Sequence, residues 1–137
     1  MSARKKKPTQ ACPFCIKRFQ ENSCTYVGNW YAKRIPEEHE PATRGHVLLI
    51  PFRHVELFED LDVNEQLDLF NLLRGTTKIL RHEDWQILGF NFGANLGKAA
   101  GQTIAHLHFH LIPRRAGDSD EPIGIRNALR RCLKQTS

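Results

Sequence analysis

The segment His106-Leu107-His108-Phe109-His110 constrains this chain more than any other. Three imidazoles alternate with two large apolar side chains, and Leu111, Ile112 and Pro113 follow. Successive side chains of a β-strand point to opposite faces. The pattern predicts a strand from Thr103 to Pro113, with His106, His108 and His110 on one face and Leu107, Phe109 and Leu111 on the other. The apolar face belongs to a core. The histidine face is either a solvated polar surface or a place for chemistry. Spacing limits that chemistry. Strand residues two apart are separated by roughly 7 Å and four apart by about 13 Å, whereas zinc holds its ligand nitrogens at about 2.1 Å. Two neighbouring histidines could share an ion. His106 and His110 together could not easily do so, which suggests that the three divide their work.

Elsewhere the pattern favours short strands. Tyr26 to Ala32 reads as strand with a break or hairpin turn at Gly28-Asn29, and residues 33–44 read as loop. Gly45-His46-Val47-Leu48-Leu49-Ile50-Pro51 is a continuous apolar run, as expected of a strand buried on both faces. Asp62 with Glu65 three residues on forms a capping box that opens a helix. Leu67, Phe70, Leu73, Thr77 and Leu80 then keep helical spacing. Trp85 to Phe92 reads as the next strand, and residues 93–102 as a Gly-rich loop. Residues 12–20 read as a short turn or helix and residues 114–122 as polar loop. Ile125, Leu129 and Leu133 suggest a C-terminal helix. Together these predict an α+β domain, a sheet with helices on one side.

A chain of 137 residues is expected to form one domain. No run is long and apolar enough to span a membrane and no secretory pattern opens the chain, so a cytoplasmic location is expected. Arg4, Lys5, Lys6 and Lys7 supply most of the net charge of +5. Residues 1–10 therefore read as a disordered basic tail and 11–137 as a single domain. The tail could touch nucleic acid, yet no Gly-rich aromatic RNA-binding signature accompanies it, and nucleic acid is not the expected partner. Cys12-Pro13-Phe14-Cys15 is the only C-x-x-C pair. It has little but tail before it, which argues against a redox site within a βαβ unit. It leaves two thiols in search of histidine partners, or two exposed structural cysteines. In the loop before the histidines, Gly93, Gly97 and Gly101 would let backbone N–H groups approach an anion, with Gln102 and Thr103 adding side-chain hydrogen bonds. A merely flexible turn would look the same.

Residues 95–114, Asn-Leu-Gly-Lys-Ala-Ala-Gly-Gln-Thr-Ile-Ala-His-Leu-His-Phe-His-Leu-Ile-Pro-Arg, closely resemble the signature of the histidine triad (HIT) superfamily. Gly45 to Pro51 with Arg53-His54-Val55 resembles its second motif, and the Cys12/Cys15 pair its zinc-binding branch. Gly117-Asp118, Glu121-Pro122 and Gly124-Ile125-Arg126 resemble bacterial-type members related to diadenosine tetraphosphate hydrolases. Arg44 replaces the proline that commonly precedes Gly-His, which leaves the path of that loop open.

The resemblance implies an antiparallel five-stranded sheet with helices packed on it, pairing as a homodimer into ten strands. It implies a nucleotidyl hydrolase or transferase acting at the α-phosphate of a dinucleoside polyphosphate or nucleoside phosphoramidate. His108 would be the nucleophile, forming a nucleotidyl-histidine intermediate. His110 would donate to a phosphate oxygen and His46 would orient the histidine face. Asn95, Gly101, Gln102 and Thr103 would contact the nucleotide. Glu38, or its neighbours Glu37 or Glu40, would contact the ribose. Cys12, Cys15, His54 and His106 would hold a structural zinc ion. The competing classes are a nucleotide-binding protein without turnover and a metallohydrolase whose zinc activates water.

Overall fold

The computed structural model describes residues 12–15, 23–119 and 124–125. Five strands form one antiparallel sheet in the order β1-β2-β3-β5-β4. They are β1 (Ser23–Val27), β2 (Trp30–Arg34), β3 (Val47–Pro51), β4 (Gly89–Gly93) and β5 (Phe109–Arg114), and one long helix, α1 (Val63–Glu83), lies between β3 and β4 in the chain. The expected basic tail and C-terminal helix fall outside the described residues, apart from Gly124 and Ile125.

Gly28 and Asn29 close the β1–β2 hairpin. Gly28 takes a positive φ of 51°, and a Cβ there would collide with the Asp68 carboxylate. That carboxylate accepts from the Asn29 backbone N–H at 3.0 Å and from its side-chain amide at 2.9 Å. The hairpin turn is thereby tied to α1. The capping box is present: the Glu65 N–H donates to Asp62 and the Asp62 N–H to Glu65. β3 is buried throughout because it lies inside the sheet with both faces covered. Its α1 side joins Trp30, Ala32, Leu69, Leu72, Leu107, Phe109 and Leu111 in the main core. Its other side joins Phe14 and Tyr31 in a smaller cluster.

Several boundaries differ from expectation. α1 buries Glu65, Leu69, Leu72, Thr76 and Leu80. Leu67 and Phe70, expected on the core face, are exposed, and Leu73 and Thr77 are half-buried. Two overlapping stripes on one helix both satisfy a 3.6-residue period, and the anchors at Asp68 and Glu65 select the second. Strand β4 begins at Gly89, later than Trp85. Asp84 caps α1, accepts the Gln86 N–H and fixes a turn that leaves Trp85 85% exposed. The loop expected over 33–44 begins after Arg34 and holds a 3-10 turn at Glu37–His39.

The histidine strand is the largest correction. Ladder pairing begins at Phe109, not Thr103. Gly97 N–H donates to the Gln102 side chain, Gln102 N–H to Gly97 C=O and His106 N–H to Ile104 C=O, so the preceding chain is bent. The approach to β5 is held instead by the Leu107 N–H on Val55 C=O at 2.7 Å. Alternation of faces survives: Leu107, Phe109 and Leu111 enter the core while the histidines lie away from it.

Candidate active site and metal centre

His106 stands apart from the other two histidines. Its ring reaches Cys12, Cys15 and His54, one ligand atom from each of the four lying within 4.8 Å of the others. The Nδ1 of His106 is 3.4 Å from Cys12 Sγ, 3.8 Å from Cys15 Sγ and 3.2 Å from His54 Nδ1, and Cys15 Sγ is 3.3 Å from His54 Nδ1. A tetrahedral ion with standard zinc–nitrogen and zinc–sulfur bonds would separate such atoms by about 3.3–3.8 Å. The orientation fits as well. His106 Nε2–H donates to Pro51 C=O at 2.8 Å, which leaves the Nδ1 lone pair facing the sulfurs. Burial pushes the Cys15 thiol up to about 11, with Cys12 adding to the effect. A cation here would offset that cost, because thiolates rather than thiols ligate. These four residues could hold a metal ion, and they draw on the N-terminal loop, the segment after β3 and the approach to β5.

His108 and His110 belong to a separate arrangement. His108 Nδ1–H donates to His106 C=O at 2.8 Å, so the lone pair of neutral His108 is on Nε2. His110 is opposite. Ala42 N–H donates to His46 Nδ1 at 3.0 Å, which puts the proton of His46 on Nε2. That proton is donated to His110 Nδ1 at 3.0 Å, which puts the proton of His110 on its own Nε2. One ring thus offers a lone pair and its neighbour, 5.3 Å away between centroids, offers a proton. Burial keeps all of them neutral: it lowers His46 to about 4 and His110 to about 3, and it also lowers His108.

Both rings line a cleft of about 110 Å³. Its walls include Phe14, Ile35, Leu48, Asn95, Gly101 and Thr103. Asn95, Gly101 and Thr103 were legible in the sequence. Gln102 serves the loop itself, accepting from Gly97 N–H and donating to Ile104 C=O. Four loop N–H groups, those of Gly97, Ala100, Gly101 and Gln102, are likewise turned onto loop acceptors. Glu38 is exposed on the 3-10 turn and does not line the cleft. His39 and Glu40 do, and Glu40 takes a left-handed φ of 51°. Sequence reasoning missed His39 and Phe14. Phe14 sits inside a motif read only for its cysteines, so its burial was the signal passed over.

The chain is similar to several known proteins. A bis(5'-nucleosyl)-tetraphosphatase (asymmetrical) of Schizosaccharomyces pombe is 38% identical over 82 residues, covering 60% of this chain and 44% of that protein. The adenosine 5'-monophosphoramidase hnt1 of the same yeast is 32% identical over 74 residues, covering 54% of this chain and 52% of that one. The matches thus span about half the length of these relatives. The solved structure of a zinc-bound histidine triad family protein from Mycobacterium smegmatis has a TM-score of 0.68 at 28% identity, covering 92% of this chain and 95% of that one. The profile of the HIT domain family matches residues 20–117, which hold every described strand, α1 and all three histidines, and the chain belongs to that family.

Proposed function

We propose that this protein transfers a nucleotidyl group from a dinucleoside polyphosphate or a nucleoside phosphoramidate to water. The observation that carries the reading is the pair of fixed, opposite tautomers on His108 and His110. The lone pair of His108 Nε2 attacks the α-phosphorus. The bond from phosphorus to the leaving oxygen or nitrogen breaks, and the leaving group takes the electron pair, a leaving nitrogen also taking a proton from solvent. A water oxygen then attacks phosphorus and releases a proton to solvent, the phosphorus–nitrogen bond breaks with its electron pair returning to His108 Nε2, and nucleoside monophosphate departs with His108 restored. His110 Nε2–H donates to a phosphate oxygen as charge builds there, with His46 holding its tautomer. Asn95, Gly101 and Thr103 contact the nucleotide, Gln102 shapes their loop, and of the three candidates Glu37, Glu38 and Glu40 it is Glu40 that takes the ribose contact. Named activities of the relatives support the substrate class.

Zinc is the proposed metal, held by Cys12, Cys15, His54 and His106. The zinc-bound relative and the ligand chemistry support it. Four protein ligands leave no position for water, so its role is to hold structure. A homodimer is also proposed. Strand β4 ends the sheet, and edge pairing with a second copy would make ten strands. Sedimentation should give twice the chain mass, and a monomer at micromolar concentration would sink this.

The test of the activity is a chromatographic assay with diadenosine tetraphosphate, diadenosine triphosphate and adenosine phosphoramidate. Turnover of at least one, a covalent adduct of nucleotidyl mass (nucleoside monophosphate less one water) on His108, and loss of both in His108→Ala are expected. Turnover that survives His108→Ala overturns the mechanism. Binding without turnover would make the protein a nucleotide-binding member of its family.

A further inference from the structure

The nucleophile has little to fix its ring. Among the described residues a single hydrogen bond, from Nδ1–H to His106 C=O, sets the tautomer of His108, and one bond does not by itself fix the tilt of a ring. Side walls must supply the rest. His110 is one wall, at 5.3 Å and 65°. The other is Phe14, whose ring meets His108 at 5.0 Å and 64° and His106 at 6.0 Å and 88°. Phe14 is 5% exposed although Cys12, Pro13 and Cys15 around it are only half-buried. The loop that carries it is a turn closed by the Cys15 N–H on Cys12 C=O at 3.5 Å. Its cysteines belong to the metal-ligand set. Among the described residues its remaining polar anchor is Tyr31 on β2. This tyrosine is 1% exposed and its hydroxyl donates to Phe14 C=O at 2.7 Å. Tyr31, Phe14, Leu48 and Ile50 form their own cluster on the histidine side of the sheet.

We infer that Tyr31 and Phe14 are positioning residues for His108, the metal-bearing Cys12–Cys15 loop being clamped by Tyr31 so that the Phe14 ring walls the nucleophile. The metal centre then governs turnover through packing, without contributing to the chemical step. The inference rests on His108 being the nucleophile. It assigns to the C-x-x-C loop a task beyond holding an ion, and to a buried β2 hydroxyl a task beyond satisfying a carbonyl. Its physical basis is that small displacements of a reacting group cost large factors in rate.

The experiment uses the full metal-loaded protein and the variants Tyr31→Phe, Phe14→Leu and Phe14→Tyr. Leucine keeps apolar bulk and loses the ring edge, whereas tyrosine keeps the ring. Metal per chain and melting temperature are recorded for each. Tyr31→Phe should slow the single-turnover formation of the His108 adduct by roughly tenfold with KM within about twofold, Phe14→Leu should slow it by a similar factor, metal retained in both, and Phe14→Tyr should recover most of the rate. The imidazole ring-proton resonances of His108, assigned by loss in His108→Ala, should move in Tyr31→Phe and on chelation of the wild type. Chelation should slow the wild type but add nothing further in Phe14→Leu. Wild-type rates in both slow variants, or equal slowing by chelation in Phe14→Leu and wild type, would overturn the inference. An absence of adduct in the wild type would instead defeat the nucleotidyl-transfer reading. The resonances then decide alone: if they do not move on chelation or in Tyr31→Phe, the relay is wrong.

Discussion

His108 and His110 are two residues apart and equally buried, yet their protons sit on opposite nitrogens. Two backbone groups make the difference: His106 C=O for one ring, and Ala42 N–H acting through His46 for the other. Backbone groups do not titrate, so the assignment holds for as long as the imidazoles stay neutral. Burial secures that neutrality and has a consequence for stability. Both His46 and His110 have folded-state pKa values, about 4 and about 3, below the ordinary 6.5. Above pH 6.5 neither state binds these protons and the two histidines contribute no pH dependence. As the pH falls below 6.5 the unfolded chain gains protons that the folded chain refuses, so stability declines down to the folded values and then levels off. Between pH 7 and pH 4.5 the loss from the two together should be on the order of 5 kcal/mol. Urea melts on chelated protein, where metal release cannot contribute, measure it. A flat profile across that window would show that the pair is hydrated rather than sealed.

At the scale of elements, α1 shows where a periodic pattern underdetermines a fold. Leu67, Phe70, Leu73, Thr77 and Leu80 form one acceptable stripe, and Leu69, Leu72, Thr76 and Leu80 another. Position in the fold separates them. Leu72 is fully buried while Leu67 is 58% exposed. Leu72→Ala should therefore cost about 3 kcal/mol, and Leu67→Ala no more than about 0.5 kcal/mol. Chemical denaturation of the two variants checks this, and equal costs would mean that the helix is rotated about its axis. The capping box was readable because it is local, two residues satisfying each other three positions apart. The hairpin at Gly28-Asn29 was readable for the same reason. The face of α1 was not, because it is set by Asp68 reaching the hairpin and by Glu65 pairing with Arg53 at 2.7 Å, both contacts remote in sequence. The histidine strand was extended too far because alternation of faces persists through His106 to His108 even where the ladder has not begun.

For the molecule as a whole, the three histidines with their motif loop were legible, since they carry their chemistry in residue type, whereas C-x-x-C gave two thiols without partners and only the family resemblance added His54 and His106, which the fold does bring beside them. What joins them was not legible. Phe14, Tyr31 and His39 acquire their places only when the sheet brings distant segments together, and the fold alone selects Glu40 over Glu37 and Glu38 for the cleft. The candidate metal site of Cys12, Cys15, His54 and His106 is where that joining is most concentrated. Its ligands come from the N-terminal loop, the segment after β3 and the approach to β5. An ion bound only by the folded arrangement stabilises it by mass action, by about 4 kcal/mol at a thousandfold excess over its dissociation constant. Removing the ion with a chelator should lower the melting temperature by about 10 °C or more. Thiol alkylation gives the same event a location. Cys12 and Cys15 should react much faster once the ion is gone. Cys24, whose thiol donates to Ala32 C=O at 3.5 Å and is pushed up mainly by burial, should react slowly before and after. About one zinc per chain in freshly purified protein is the matching expectation, because closed sites of this type bind tightly. Were chelation to leave both the melting temperature and the alkylation rates of Cys12 and Cys15 unchanged, the four residues would be neighbours without an ion. The N-terminal loop would then be held by Tyr31 and apolar packing alone.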